Sequence, residues 1–271
     1  MAGYVCTIAG GKGGVGKTTT AINLAAVLQE NGYDTAVVDA DLGMANLGEM
    51  LELEYETSIH EILAGEATVS AALTDAQGGM TVIPGEQTLE AFAEADPAKL
   101  RKVIKTLRNT FDVVLVDTGA GLSHETMVPL GLADGILLVT TPDDVAVNDT
   151  IKTADLADRV DGRVIGTLIT RVTKHTDVSD IAEEFEMPLL GVIPEDLQAT
   201  AEEPLVLTMP ESDAAEAYRQ LTAAMEPVFF EGATGEEIDR VFDETWFQDP
   251  ADDEDTDDDE ESSGVFGGLF G

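Results

Sequence analysis

The sequence contains few cysteines, histidines and basic residues, and no long apolar run. The single cysteine, Cys6, lies in an apolar segment. This excludes a disulfide framework and a cysteine-based metal or iron–sulfur site, and predicts a buried thiol that packs as a small hydrophobe. The three histidines lack the i, i+4 spacing of a zinc helix and are interpreted as surface or structural residues. They are His60, His124 and His175.

No run of 18 apolar residues occurs, so no transmembrane helix is predicted. The N-terminal residues also lack the basic and apolar regions of a signal peptide. These two features predict a cytoplasmic protein.

Basic charge is scarce: 54 acidic residues against 14 basic ones give a formal net charge of −40. A nucleic-acid-binding protein needs a basic patch that displaces counterions from phosphates, so we expect no nucleic-acid partner. Self-repulsion on this scale is relieved at about 1 M salt, where the Debye length is about 3 Å. The composition therefore indicates an extreme halophile, and the alternative is an ordinary acidic protein that needs a basic partner.

Short β-rich apolar runs alternate with helical patterns, which predicts an α/β fold with a doubly wound, mainly parallel sheet and helices on both faces. The predicted strands are Tyr4–Ala9, Thr35–Asp39, Met80–Ile83, Asp112–Asp117, Gly135–Thr140, Val164–Thr170 and Pro188–Ile193. The predicted helices are Lys17–Asn31, Pro97–Asn109, Val145–Val160, Val178–Phe185 and Asp213–Phe229. Ligands of such folds bind at the carboxyl ends of the strands.

A phosphate-binding pattern, G-x-x-x-x-G-K-[ST], follows the first predicted strand and opens the first predicted helix. Its glycines allow backbone N–H groups to approach phosphates, and the helix N-terminus adds further donors. We expect Lys17 to contact the β- and γ-phosphates, the Thr18 hydroxyl to ligate Mg²⁺, and Thr19 to reach the α-phosphate. The alternative is a glycine-rich turn that only caps a helix. The predicted nucleotide-binding residues here are Gly11, Lys12, Gly13, Gly14, Val15, Gly16, Lys17, Thr18 and Thr19.

The segment from Lys12 to Thr19 resembles the deviant Walker A motif of the MinD/ParA class of P-loop ATPases, whose extra lysine corresponds to Lys12. The resemblance extends over residues 1–229. It implies ATP and Mg²⁺ as cofactors, a homodimer that forms on ATP binding, and a Lys12 that stabilises charge on the partner's phosphates. Physically, this is the role of an arginine finger.

Two acidic segments have counterparts in the same class. Residues 37–47 are similar to its switch I, in which the second aspartate, here Asp41, positions the attacking water and contributes to the magnesium site. The apolar run before Asp117 resembles a Walker B strand and implies that Asp117 holds Mg²⁺. By this resemblance Lys12, Lys17 and Asp41 are the catalytic residues, while Thr18, Asp41 and Asp117 hold the metal.

The residues after Asp117 point to a different subfamily from the rest of the chain. MinD proteins usually have Ser-Pro where this chain has Thr118-Gly119, and the sequence Asp-Thr-Gly-Ala-Gly instead resembles FlhG, a flagellar-number relative. Residues 191–196 resemble the adenine-side segment of MinD, and the Asn-Lys-x-Asp motif of GTPases is absent. The resemblance therefore implies adenine, with Arg171 and Pro194 near the base.

After residue 248 the composition changes, which predicts an ATPase domain over 1–248, a disordered acidic linker over 249–261 and an apolar tip over 262–271. A helix in the tip would align Val265, Phe266, Leu269 and Phe270, although its glycines disfavour a helix and no basic residue is present to meet anionic lipid. Membrane anchoring, docking on a protein partner and an inert tail all stay open. Peripheral attachment to the cell membrane or the poles would follow from the first.

The resemblance implies a MinD-like ATPase, stimulated by dimerisation or an unidentified activator, that cycles on and off a surface and places a division, motility or other assembly. The alternatives are an FlhG-like regulator of motility-organelle placement and a non-hydrolysing nucleotide-dependent scaffold.

Overall fold

An eight-stranded sheet forms the centre of the computed structural model, which describes residues 2–121, 124–196 and 202–238 and, of 124 and 125, the backbone only. The order is β3-β4-β2-β5-β1-β6-β7-β8, and every neighbouring pair is parallel except β3 with β4. The strands are β1 (Tyr4–Ala9), β2 (Thr35–Ala40), β3 (Thr74–Asp75), β4 (Thr81–Ile83), β5 (Val113–Thr118), β6 (Gly135–Thr140), β7 (Val164–Val172) and β8 (Leu189–Pro194).

Helices cover both faces of this sheet. They are α1 (Lys17–Glu30), α2 (Leu47–Met50), α3 (Ile59–Ala64), α4 (Leu89–Glu94), α5 (Leu100–Leu107), α6 (His124–Leu130), α7 (Asp144–Asp158), α8 (Val178–Glu183), α9 (Leu205–Thr208) and α10 (Asp213–Phe230). Short 3-10 turns lie at Val69–Ala71, Gln77–Gly79, Pro97–Lys99 and Gly235–Glu237. The predicted doubly wound α/β fold is confirmed.

The central strands are fully buried because side chains from both of their faces enter apolar cores. In β5, Val113 and Leu115 join the core that α1 and α10 cover, while Val114 and Val116 join the core beneath α3 and α5. This explains why residues 113–116 do not alternate with polar residues. Cys6 is also fully buried in the first core, as predicted.

His60 is a structural residue, as the sequence indicated. Its Nε2 lies 2.9 Å from the Leu42 carbonyl oxygen, and its Nδ1 accepts the Glu86 N–H at 3.1 Å. His175 is exposed, and the side chain of His124 lies outside the description. No helix among the described residues is long and apolar enough to cross a membrane. The acidic linker and the apolar tip also lie outside the described residues.

Candidate functional site

The loop from Gly11 to Thr18 joins β1, in the middle of the sheet, to the N-terminus of α1. Gly16 precedes the helix with a φ of 92°, a left-handed conformation that glycine adopts at little cost. No side chain caps α1, so its first N–H groups are available to an anion. A cleft of about 560 Å³ opens above them, lined by this loop and by residues that follow β2 and β5.

Lys17 lies at the base of the cleft with 7% of its surface exposed. Its ammonium group donates to the Lys12 carbonyl oxygen at 3.3 Å. Burial lowers its pKa, and the carboxylates of Asp117 and Asp41 oppose that shift. A buried ammonium group in a cleft lined by backbone donors is suited to a polyanion such as a nucleotide phosphate chain.

Thr18 and Asp117 come together at the end of β5. The Thr18 hydroxyl lies 2.6 Å from Asp117 Oδ2 and 3.2 Å from Asn46 Oδ1, so its proton is donated to the nearer carboxylate. Asp117 is fully buried, and its Oδ1 has no hydrogen-bond partner among the described residues. A hydroxyl, a buried carboxylate and a free carboxylate oxygen form a donor set that fits Mg²⁺.

Asp39 and Asp117 occupy paired positions on the adjacent parallel strands β2 and β5, and both are fully buried. Burial raises the pKa of Asp39 to about 7, although its carboxylate accepts N–H groups from Asp41, Asn46 and Leu47. Burial, reinforced by the Asp39 charge, raises the pKa of Asp117 to about 8. Ionisation of one carboxylate therefore disfavours ionisation of the other, and a bound cation would relieve this repulsion.

Asp41 lies half-buried on the cleft wall and accepts the Met44 N–H at 3.0 Å. Its carboxylate packs directly against Gly119, which follows β5. A β-carbon on Gly119 would lie 2.8 Å from Asp41 Oδ1. The absence of a side chain at Gly119 therefore allows Asp41 to lie in this position.

A second cavity of about 330 Å³ adjoins the phosphate cleft, and the two share Gly16, Thr19 and Arg171. Pro194, at the end of β8, and Tyr218 of α10 line its far side. Arg171 has a φ of 55°, unusual for a residue with a side chain. The structure thus brings Arg171 and Pro194 to one pocket beside Thr19, where a base could lie next to the phosphates.

Thr170, on β7, anchors the phosphate-binding loop to the sheet. Its buried hydroxyl lies 2.7 Å from the Val15 carbonyl oxygen and 3.1 Å from that of Thr140. Sequence reasoning gave Thr170 no structural role, because this contact joins positions 155 residues apart.

Replacing Thr170 with Val is expected to lower the free energy of unfolding by about 1–3 kcal/mol, since it leaves the Val15 carbonyl oxygen without this donor. Thr167→Val is the matched control, because Thr167 is also buried on β7 but its hydroxyl has no partner among the described residues. That control is expected to be neutral or slightly stabilising. Chemical denaturation of both variants in one buffer gives the comparison, and equal losses would contradict the anchoring role.

Lys12 points away from the cleft. Its Nζ lies 2.8 Å from Asp143 Oδ1, and the two side chains remain 43% and 45% exposed. Asp143 also accepts the Thr141 hydroxyl and the Ala146 N–H, as the N-cap of α7. The Lys12 contact is the main reason that the pKa of Asp143 falls to about 2, and the Thr141 hydroxyl adds to it. Lys12 is absent from the described residues that line the cleft.

Three residues near the site were missed or given no role by the sequence reasoning. Asn46 lies within residues 37–47, which resemble switch I, but the resemblance gave it no role. Asp143 showed only one signal in the sequence, an acidic residue directly before a helical pattern. Glu203 is half-buried and accepts from Asn23 Nδ2 at 2.8 Å and from the Leu205 N–H at 3.1 Å. Burial raises its pKa. Each partnership is a tertiary contact or a local turn that no motif encodes.

A glycine-rich loop between the central strand of a parallel sheet and an uncapped helix, with a Thr–Asp pair beside it, defines the P-loop class of nucleotide-binding proteins. The chain belongs to the CobQ/CobB/MinD/ParA nucleotide-binding family, whose model matches residues 6–204.

Individual relatives agree with this assignment. An ATP-binding protein of Methanocaldococcus jannaschii is 35% identical over 226 residues, which are 80% of this chain and 86% of that protein. The antiactivator FleN of Pseudomonas aeruginosa is 30% identical over 210 residues, 71% of this chain and 74% of that protein. The septum site-determining protein MinD of Pyrococcus horikoshii, solved with Mg-ADP, superposes with a TM-score of 0.79 at 32% identity and covers 85% of this chain and 98% of its own.

Proposed function

We propose that this chain is a MinD-like ATPase that dimerises on ATP, uses hydrolysis to cycle on and off a surface, and thereby positions a division, motility or other cellular assembly. Its family is defined by nucleotide binding, and a structural neighbour that determines the septum site binds Mg-ADP. The surface would be reached through residues 262–271, by contact with a membrane or a protein partner.

In this proposal each cleft residue has a task. Lys17 and the free N–H groups of α1 would hold the β- and γ-phosphates of ATP. Thr18 and Asp117 would hold Mg²⁺, directly or through water, and the metal would neutralise charge that develops on the phosphates. Asp41, held against Gly119, would orient the attacking water. Arg171 and Pro194 would bound the adenine.

One observation supports a requirement for dimerisation: the Lys12 ammonium group is held by Asp143 at the surface and does not enter the cleft of its own subunit. A cation that stabilises transferred phosphate must reach it. An exposed lysine on the phosphate-binding loop can do this for a second subunit, so its charge is delivered only on assembly. The Asp143 contact would hold Lys12 out of use in the monomer.

Replacing Asp143 with Asn tests this proposal. Asn keeps the N-cap of α7 but loses the ion pair, so Lys12 is released at little cost to the helix. Because an exposed ion pair contributes up to about 1 kcal/mol and a symmetric dimer breaks two of them, the ATP-bound dimer is expected to form at up to about 30-fold lower protein concentration. ATP turnover and sedimentation, each measured across protein concentration, give the comparison.

Asp177→Asn is the matched control, since Asp177 caps α8 in the same way and forms no ion pair in the described structure. Turnover per subunit that does not depend on protein concentration, together with a monomer in the presence of ATP, would contradict the proposed cycle. A dimer without turnover would favour the nucleotide-dependent scaffold.

Gly119→Ala is expected to lower maximal ATP turnover by about 10- to 100-fold, because the new methyl group displaces Asp41 from the reacting water. The affinity for ATP should change less than twofold. Gly131→Ala is the control, since a β-carbon there has no neighbour nearer than 3.5 Å. Wild-type turnover in Gly119→Ala would show that the position of Asp41 against Gly119 does not matter.

Motility-organelle placement is the second candidate, and the contact between Asp41 and Gly119 favours it. The Asp-Thr-Gly-Ala-Gly segment resembles FlhG, and its first glycine, Gly119, leaves the space that Asp41 occupies. A fluorescent fusion would separate the candidates: localisation at the division site supports the first, and localisation at the motility organelle supports the second.

A further inference from the structure

Helix α5 carries a concentration of positive charge that the nucleotide site does not use. Five of the 14 basic residues of the chain lie between Pro97 and Phe111, and this stretch contains no acidic residue. They are Lys99, Arg101, Lys102, Lys105 and Arg108. Because the chain has 54 acidic residues and only 14 basic ones, this cluster of basic residues is a candidate binding site for an acidic group.

The buried side of α5 explains why the bases share a face. Leu100, Val103, Ile104 and Leu107 are buried in the core beneath the helix. Lys99, Arg101, Lys102 and Lys105 are exposed on the other side, and we call these four residues the basic face.

The basic face is not neutralised within the described structure. Arg108 pairs with Asp134 at 3.0 Å, and the Lys99 ammonium group donates to the Ala64 carbonyl oxygen at 2.9 Å. Arg101, Lys102 and Lys105 form no ion pair with any described residue. Three uncompensated cations on one helical surface favour an anionic partner.

We infer that the acidic segment 249–261 of the same chain docks on the basic face of α5. That segment holds ten acidic residues and no basic one, whereas the stretch around α5 holds five basic residues and no acidic one. The two segments are therefore of opposite charge, and neither contains a charge of the other sign. The inference does not depend on the proposed ATPase cycle.

The two segments can reach each other. Arg163 donates to the Ala233 carbonyl oxygen, and Gly235 packs against the backbone of Ile165, so the described chain ends near the amino end of β7. The carbonyl oxygen of Arg108, at the end of α5, accepts the Gly3 N–H beside the amino end of β1. With β6 alone between β1 and β7, these points are separated by about two strand spacings, or about 10 Å within the sheet. Eleven residues from Ile238 to Asp249 span up to about 36 Å.

The covalent link between the domain and segment 249–261 favours this segment over other anionic partners. Nucleic acid or an anionic membrane must approach a chain whose net charge is −40, which repels it beyond the basic face. Segment 249–261 is already joined to the domain, so its effective concentration is in the millimolar range without an encounter between molecules. The intramolecular partner is therefore favoured.

Docking is tested with a nitroxide label on Thr256→Cys in the full ¹⁵N-labelled chain, because Cys6 is fully buried and is shielded from the reagent. The experiment starts at the lowest potassium chloride concentration at which the unlabelled chain keeps the α5 amide signals at their 2 M positions, so that the domain is folded. There, the α5 amide signals of the labelled chain are expected to fall below half of the intensity that they have once the nitroxide is reduced. They should recover as the salt is raised to 2 M. The loss of α5 signal intensity should vanish in the charge-reversed variant Arg101→Glu/Lys105→Glu. In the charge-neutral variant Arg101→Gln/Lys105→Gln the loss of intensity should be smaller than in the wild type.

Lys152→Glu/Arg159→Glu is the matched control, since it makes the same charge change at exposed sites of α7 and its C-cap and should retain the effect. Full α5 intensity in the labelled wild type at that lowest salt concentration would overturn the inference, as would loss of the effect in the control. Equal broadening when a labelled ¹⁴N chain is mixed with an unlabelled ¹⁵N chain would assign docking to a second copy and overturn the intramolecular form.

Discussion

Replacing Lys12 with Ala is expected to lower ATP turnover by about 10³-fold while changing ATP affinity by less than about threefold. The first effect follows because a cation supplied across an interface contributes about 10³ to 10⁵ in rate to phosphoryl transfer. The second follows because Lys12 pairs with Asp143 and is not among the described residues that line the cleft. Lys152→Ala is the control, since Lys152 is also exposed and ion-paired, with Asp149 at 2.7 Å. Steady-state turnover and ATP titration measure the two effects.

A mixing experiment distinguishes action on the partner from action within one subunit. Neither Lys12→Ala nor Asp41→Asn should be active alone. In an equal mixture half of the dimers are mixed, and one site in each combines an intact Asp41 with a Lys12 from the partner, so about a quarter of wild-type turnover should return. Failure of the mixture to recover activity would show that Lys12 acts on the phosphates of its own subunit.

Replacing Asp117 with Asn is expected to abolish the contribution of Mg²⁺ to ATP affinity, a loss of about 100-fold. The Asp117 carboxylate is buried, and its Oδ1 is left without a partner among the described residues, so the variant loses a carboxylate oxygen that is free to ligate the metal. Affinity for ATP in the presence of a chelator should be unchanged. Asp134→Asn is a control at a half-buried carboxylate far from the loop. An equal loss of affinity with and without Mg²⁺ would contradict the assignment.

The same variant should flatten the dependence of stability on pH in the metal-free protein. The pKa of Asp117 is about 8 in the folded chain, above the ordinary aspartate value of 3.8. The folded state therefore holds this proton more tightly, and the resulting stability is full below pH 3.8 and is lost as pH rises towards 8. The loss approaches about 1.4 kcal/mol for each pH unit per proton. Asp39 contributes in the same sense, while Lys17 and the Thr18 hydroxyl oppose it.

The difference in unfolding free energy between wild type and Asp117→Asn, followed by denaturation from pH 5 to pH 9, isolates this effect from the other carboxylates. The free energy of unfolding of the variant should increase relative to that of the wild type as pH rises. Parallel curves would show that Asp117 is already ionised across this range.

Regular elements with strong patterns could be predicted from the sequence. Strands β1 and β6 have the predicted bounds, and β7 extends only two residues beyond its prediction. Short elements were missed: α3 has six residues, α4 has six and β3 has two. Such segments contain too few turns or alternations to display a period, and tertiary contacts decide their conformation.

The site divides in the same way. The loop residues and Asp117 could be placed because the motif and the end of a buried strand are local features. The partners of Lys12 and Val15 could not, since Asp143 and Thr170 lie 131 and 155 residues away in the sequence. The pairing of Asp39 with Asp117 required the strand order, which places β5 between β2 and β1.

The two-residue antiparallel strand β3 has a consequence for how copies of the chain can associate. At its edge, the sheet ends in Thr74 and Asp75, a pair too short to template another strand and one that carries an exposed charge. Such an edge opposes the strand-by-strand growth that leads to fibres. This edge leaves self-association to side-chain surfaces elsewhere on the molecule, such as the one around Lys12, and an assembly that forms there can come apart again.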